Sequence, residues 1–240
     1  MQSIGRMLKA GLARIRLRAN TRKFANSDYL EAYANRTNLL VDVDPKMAIG
    51  GIWDEMGEKQ FEFLKRKGLE PHHSLLDIGC GTLRGGQHFI QYLEPEKYSG
   101  FDISAKTIEA AGETVREVGL SGKRPNLSVN TARNLRFEEY QGAQFDFLLA
   151  QSVFSHLKPE HIRECFENVG SIMHTDSRFF FTYHPGESYR ARSHTDFEYP
   201  LDFFNGLGRE LGFRLEDLSD EYQHPRGQRM IRMMKAPENL

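Results

Sequence analysis

Two carboxylates and three histidines stand in this chain at spacings that suit ligand binding and proton transfer. Asp77 lies two residues before the first glycine of Leu75-Leu-Asp-Ile-Gly-Cys-Gly-Thr-Leu-Arg84, and Asp102 follows 25 positions later, at the end of Tyr98-Ser-Gly-Phe-Asp102. A short apolar run that breaks into glycines reads as a strand entering a tight turn, where backbone without Cβ atoms can approach a ligand closely. A carboxylate at the tip of the following strand can accept both hydrogen bonds of a ribose diol. Alone, such an Asp is more often a helix N-cap than a ligand, but Ser104 is the better cap and leaves Asp102 free. A dinucleotide fingerprint needs a third glycine where Arg84 stands, which disfavours an NAD or nucleotide-sugar enzyme. His156, His184 and His224 are the candidate proton acceptors near neutral pH, each with a purely structural alternative.

The elements that must carry these residues follow from the apolar pattern. Strands are predicted at Ser74–Ile78, Tyr98–Asp102, Asn126–Asn130, Phe145–Ala150 and Arg178–Tyr183, with helices at Asp54–Gly68, Gly85–Leu93, Ser104–Val118 and from Pro159 onward. The near-continuous apolar run Phe145–Ala150 suits a parallel strand covered on both faces. Cys165 falls on the apolar face of the Pro159 helix and is expected in the core. A helix over about 200–211 then precedes Phe213–Leu218 and Met230–Met234, two strands whose short link makes them antiparallel. His156 sits six residues past the fourth strand in a short loop held by Pro159, and ranks first as a base. His184 ranks second, because Pro185-Gly186 should swing it outward into a loose segment running to about Pro200, read as a substrate lid. His224 ranks third, in a surface turn.

The glycine turn after Asp77, taken with Asp102 at this separation, resembles the first motifs of the class I S-adenosylmethionine-dependent methyltransferases. The resemblance covers residues 55–235. It implies an α/β fold with a doubly wound, mostly parallel seven-stranded sheet ending in an antiparallel C-terminal hairpin, here with an N-terminal helical extension. It further implies S-adenosylmethionine as cofactor, with Asp77, Gly79, Cys80, Gly81, Arg84, Asp102, Ile103, Gln151 and Ser152 as binding residues and no metal. Leu83 departs from the pattern, standing where many members have another glycine. Arg84 has three readings: a partner for the cofactor carboxylate, a partner for an acidic substrate, or a solvated side chain. In similar enzymes the helix before the first strand covers the cofactor, which brings Trp53, Gly57 and Gln60 into consideration, Trp53 having a core anchor as its alternative. A bacterial subset associated with glycan or lipid-linked glycan assembly looks similar here and in His224-Pro-Arg-Gly-Gln228. The expected reaction is O-methylation of a sugar or other small hydroxylated acceptor. The alternatives are N-methylation of a small molecule or protein side chain, and a non-catalytic scaffold of the same fold. No Asn/Asp-Pro-Pro-Tyr signature of amino methylation follows the fourth strand.

Length and charge bound these readings. The 240 residues suit one sizeable domain, taken as 54–240, with an extension over 1–53. Cys80 and Cys165 form no C-x-x-C pair, so neither a disulfide framework nor a zinc site is indicated, and a reducing, cytoplasmic setting fits. No apolar run reaches the roughly 20 residues of a membrane span. Residues 1–27 hold seven basic side chains and no acidic one, leaving 25 basic against 33 acidic in the rest, a balance that argues against a nucleic-acid-binding body. Residues 2–19 have the spacing of a basic amphipathic helix: a peripheral contact with an anionic inner-membrane surface, a helix packed on the domain, and an organellar presequence are its three readings.

Overall fold

The computed structural model describes residues 28–237. Its centre is a sheet whose strands carry alternate side chains to two apolar layers. In β1 (Leu75–Ile78), Leu76 and Ile78 enter one layer and Leu75 the other. β4 (Phe145–Ala150) sends Phe145, Leu148 and Ala150 to the first layer, and Phe147 and Leu149 to the second. Burial on both faces is the reason these runs read as continuously apolar. With β2 (Tyr98–Asp102), β3 (Asn126–Val129) and β5 (Met173–Pro185), the parallel strands run in the order β3-β2-β1-β4-β5.

Helices cover both faces. α1 (Tyr29–Val41), α6 (Pro159–Val169) and α7 (Leu201–Glu210) give Tyr29, Leu30, Ile162, Cys165, Phe166 and Phe204 to the first layer. α3 (Trp53–Arg66), α4 (Gly86–Tyr92) and α5 (Ala105–Glu117) supply Phe63, Leu64, Phe89, Ala111 and Val115 to the second. A single turn, α2 (Pro45–Ala48), joins α1 to α3. The antiparallel end is formed by β8 (Phe213–Asp217) and β9 (Arg229–Lys235), with β9 lying along β5. These seven strands are the arrangement expected from the sequence.

Two further strands were not expected. β6 (Arg190–Ser193) and β7 (Asp196–Tyr199) form a hairpin, and β7 runs parallel to the end of β5 with His184 opposite Glu198. The segment expected to be a loose lid is therefore an ordered extension of the sheet. Phe197 and Tyr199 anchor it in the core, and the Tyr199 hydroxyl donates to Leu157 O at 2.6 Å. The same pairing carries β5 past Tyr183 and holds His184 in register instead of letting Pro185-Gly186 swing it outward.

Residues 28–51 close over the glycine turn. Asp28 caps α1 by accepting from Leu30 N, and Asp44 caps α2 in the same way through Lys46 N. Ser104 caps α5 as expected, and its hydroxyl also bonds Asn38 Oδ1 at 2.7 Å, tying α1 to the domain. Thr82 Oγ1 donates to Pro45 O at 3.1 Å. Trp53 belongs neither to the core nor to the cavity wall: it is half-buried with Lys46 Nζ 5.1 Å above its ring. The expected amphipathic helix over residues 2–19 lies outside the described residues. Among the described residues no helix is long and apolar enough to cross a membrane.

Candidate active site

All twelve residues singled out as cofactor-binding or catalytic candidates line one cavity of about 600 Å³ at the carboxyl end of the sheet. At its base, Gly79 and Gly81 adopt φ of 69° and 58°, the left-handed region that glycine enters without strain. A Cβ on Gly79 would stand 2.7 Å from Val153 Cγ2, and one on Gly81 2.9 Å from Ile49 Cγ2. Cys80 is buried between them, where burial and the nearby Asp77 push its thiol pKa well up.

Both acidic residues are held in apolar surroundings. Asp77 points into the second layer with Leu75 and accepts from the Tyr98 hydroxyl at 2.8 Å. Burial outweighs that bond, and with the charge of Asp102 it raises Asp77 to about 7. Asp102 is half-buried, and burial raises it to about 6 against the pull of backbone N–H groups at Ser104, Gly81 and Ile103. One of its oxygens accepts from Ser104 N at 2.9 Å, so Asp102 shapes the strand end while its carboxylate still lines the cavity.

Arg84 is not a solvated side chain. It is 9 % exposed, and Nη1 donates to the carbonyls of Ile49 and Gly51 at 3.2 and 3.0 Å, stapling the chain before α3 onto the turn. Gly57 of α3 packs so closely on this segment that an added Cβ would meet Arg84 O at 2.3 Å. Gly57→Ala is expected to destabilise the fold by about 1–3 kcal/mol through overpacking, although alanine is the better helix former. Thermal unfolding of the variant measures this.

Past β4, Ser152 takes φ of 60°, a left-handed conformation costly for a residue with a Cβ. Three hydrogen bonds with Thr182 and Gln228 hold it there. Ser152 N donates to Thr182 Oγ1 at 2.7 Å, Ser152 Oγ donates to Gln228 Oε1 at 3.0 Å, and Thr182 Oγ1 donates to the same oxygen at 2.7 Å. Gln151 accepts from the Tyr222 hydroxyl at 3.0 Å.

The histidines differ in which nitrogen carries the proton. His156 Nδ1 lies 2.6 Å from Thr195 O; a carbonyl only accepts, so Nδ1 bears hydrogen and Nε2 holds the lone pair when the ring is neutral. Burial lowers the His156 pKa, and the Arg36 and His184 charges add to that against the opposing Thr195 and Asp196. His224 is the reverse case. Its Nδ1 accepts from Arg226 N at 3.1 Å, which puts the hydrogen on Nε2, and burial with the Arg84 and Arg226 charges lowers its pKa to about 4. Far from lying in a surface turn, His224 is 8 % exposed. A ring in that tautomer donates at Nε2 and has no lone pair to offer there. His184 Nε2 stands 3.5 Å from Asp196 Oδ1, its pKa lowered by burial against the attraction of that carboxylate.

The cavity also takes residues that sequence reasoning left out. Leu30, Tyr33, Arg36 and Thr37 reach it from α1, Ile49 and Ile52 from the flanks of α2, Asn130 and Asn134 from the loop after β3, and Arg192 and Asp196 from the hairpin. The two aspartate caps, Asp28 and the Asp44-Pro45 pair, were the readable signals for the first two groups. Among the described residues no group of three or more His, Cys, Asp or Glu could hold a metal ion.

Residues 76–179 match a family model described as a methyltransferase domain. Among solved structures, magnesium protoporphyrin IX methyltransferase (ChlM) from Synechocystis PCC 6803 is similar with a TM-score of 0.64 and 16% identity, over 88% of this chain and 99% of that one. Mitomycin 7-O-methyltransferase MmcR is similar with a TM-score of 0.64 and 15% identity, over 93% of this chain and 67% of that one. The [4+2]-cyclase SpnF shares the fold with a TM-score of 0.57 and 15% identity, over 76% of this chain and 82% of that one. Likeness at such identities establishes architecture, and SpnF illustrates that architecture alone does not name a reaction. The matched span runs from Leu76 at the glycine turn through Asp102 to Phe179 of β5, so the part of the chain that matches a methyltransferase domain is the part that builds the parallel sheet and the floor of the cavity, in the Rossmann-like fold of the methyltransferases named above.

Proposed function

We propose that this domain methylates an oxygen of a small hydroxylated acceptor, sugars among them, with His156 as the base. The observation that carries the reading is the bond from His156 Nδ1 to Thr195 O, which leaves Nε2 as the proton-accepting atom of a ring lining the cavity. The cofactor supplies a methyl group on a positively charged sulfur, so the protein's work is placement, exclusion of water and removal of one proton. His156 Nε2 takes that proton from the acceptor hydroxyl as the oxygen lone pair forms the new bond to carbon. A lowered pKa keeps the ring neutral and ready at pH 7.

The residues at the base fit S-adenosylmethionine. The glycine cradle has the room that a Cβ would fill, and a strand-tip carboxylate stands beside it. In this reading Asp102 holds the ribose hydroxyls, Gly79, Cys80, Gly81 and Ile103 bound the nucleoside, and Asp77, Gln151 and Ser152 form the wall near the amino-acid end. Arg84 acts on that end mainly by fixing the Ile49–Gly51 segment above it. His224 takes the role of a neutral donor in the same wall. Asp102→Ala should weaken cofactor binding by about 1.5–3 kcal/mol per lost charged hydrogen bond, read by calorimetry with the demethylated cofactor.

The test of the reaction uses cofactor carrying a ¹³C methyl group and a small-molecule extract, followed by NMR of the methylated product. An O–CH₃ carbon supports the proposal, and an N–CH₃ carbon moves the assignment to the N-methylation alternative. Residues 2–19 are proposed to contact an anionic membrane surface from the cytoplasmic side. The apolar core pattern begins well after residue 22, and the described lining of the cavity begins at Leu30, so removal of residues 1–22 is expected to leave cofactor affinity unchanged while abolishing salt-sensitive binding to anionic vesicles. Vesicle co-sedimentation of both forms checks it.

A further inference from the structure

We infer that the methyl acceptor is an anion, its carboxylate or phosphate oxygens held by Arg36 of α1 and Arg192 of β6 at the end of the cavity where His156 and His184 stand. The inference deepens the methyl-transfer reading above and rests on it.

Asp77 and Asp102 stand at the glycine turn. Arg84 is occupied by the Ile49 and Gly51 carbonyls, and Arg226 bonds the Gly50 carbonyl. At the other end, Arg36 makes no ion pair or side-chain hydrogen bond among the described residues, although it lines the cavity. Arg192 has carboxylates near it, Glu198 at 3.3 Å and Asp196 at 3.9 Å, but each is shared. Glu198 is also bound by Arg190 at 2.7 Å, and Asp196 faces His184 at 3.5 Å. Arg36 therefore reaches this end without a carboxylate partner among the described residues, and Arg192 with carboxylates that Arg190 and His184 share.

Their position beside the proposed base makes the imbalance costly for catalysis. Tyr33, one helical turn before Arg36, packs its ring 4.9 Å from His156, and the Arg36 charge helps keep that imidazole neutral. Neutrality suits the ground state; proton abstraction creates an imidazolium that Asp196 favours and Arg36 opposes. An acceptor that brings its own negative charge to Arg36 cancels the opposition in the step where it matters. The planar guanidinium fork matches the paired oxygens of a carboxylate or phosphate. Both arginines come from parts of the chain outside the parallel sheet, the N-terminal helix and the added hairpin, which suits a role in choosing the acceptor.

The test is NMR of the arginine Nε–H resonances in protein saturated with demethylated cofactor, titrated with inorganic phosphate and separately with acetate at constant ionic strength set by chloride. The expected result is a saturable shift of the Arg36 and Arg192 resonances with one of these anions, and at least a tenfold loss of affinity in Arg36→Gln and in Arg192→Gln. Stronger binding of phosphate marks a phosphorylated acceptor, and stronger binding of acetate a carboxylated one. Shifts no larger than chloride produces, or equal affinity in the variants, overturn the inference. Arg36 is exposed, so its variant is expected to fold, and a melting curve confirms it. Failure of the wild type to bind the demethylated cofactor would instead count against the methyl-transfer reading, while the same titration without cofactor still decides the anion site.

Discussion

His156→Ala is expected to slow methyl transfer by about 10²–10⁴-fold, the range for loss of a positioned general base, with cofactor affinity nearly unchanged. The size follows from what the substitution removes. His156 is placed by Thr195 O on one nitrogen and packed against Tyr33, so its lone pair is oriented before any acceptor arrives, and alanine leaves no second group with that geometry. His184 is nearby but faces Asp196, and His224 carries its proton on the wrong nitrogen. Single-turnover rates with saturating cofactor separate chemistry from binding. The pH profile supplies an independent check. A base must be neutral to act, so the rate should fall as pH drops through a pKa lying below the ordinary histidine value, because burial lowers it. Normal turnover in His156→Ala would mean that placement alone carries the reaction; loss only in His184→Ala would move the base to the hairpin side.

The ability of the sequence to foretell the sheet, and its failure at the cavity roof, have the same physical origin. Strands such as Phe145–Ala150 are buried on both faces, so their composition reports their environment directly, and the glycine turn needs residues without Cβ at Gly79 and Gly81 whatever ligand it takes. All the candidate residues drawn from those features line one cavity. The hairpin Arg190–Tyr199 has the sequence pattern of a loose segment because β6 is exposed throughout and rich in arginine, while only Phe197 and Tyr199 of β7 enter the core. Its fold depends on pairing with the end of β5, a contact that local pattern does not encode. The tautomers of His156 and His224 were equally hidden. They are set by Thr195 O and Arg226 N, groups of the main chain whose positions exist only once the loops have closed.

Asp77→Asn is expected to remove a large pH-dependent cost from the unliganded fold. Asp77 sits in the layer formed by Leu75, Tyr98 and Phe147, where the charged form loses its hydration and gains the Tyr98 hydroxyl and a weaker attraction from Arg84. Burial raises its pKa to about 7 from an ordinary aspartate value of 3.8. The sign follows directly. Between these values the unfolded chain is ionised while the folded chain keeps its proton, so the folded state binds more protons and stability falls as pH rises. The contribution is fully present below about pH 4 and is lost once pH has passed about 7. At 1.36 kcal/mol per unit, a gap of roughly three units sets an upper limit of about 4 kcal/mol. Asparagine can still accept from Tyr98 and never ionises, so the variant should gain on the wild type progressively from pH 4 to pH 8. Asp102 titrates in the same window, at about 6, and its pKa is set by burial as well. The informative quantity is therefore the difference between denaturant unfolding curves of variant and wild type at each pH. A difference that does not change with pH would show that Asp77 ionises in the folded protein as readily as in water, and would remove the desolvated carboxylate from the account of the glycine turn.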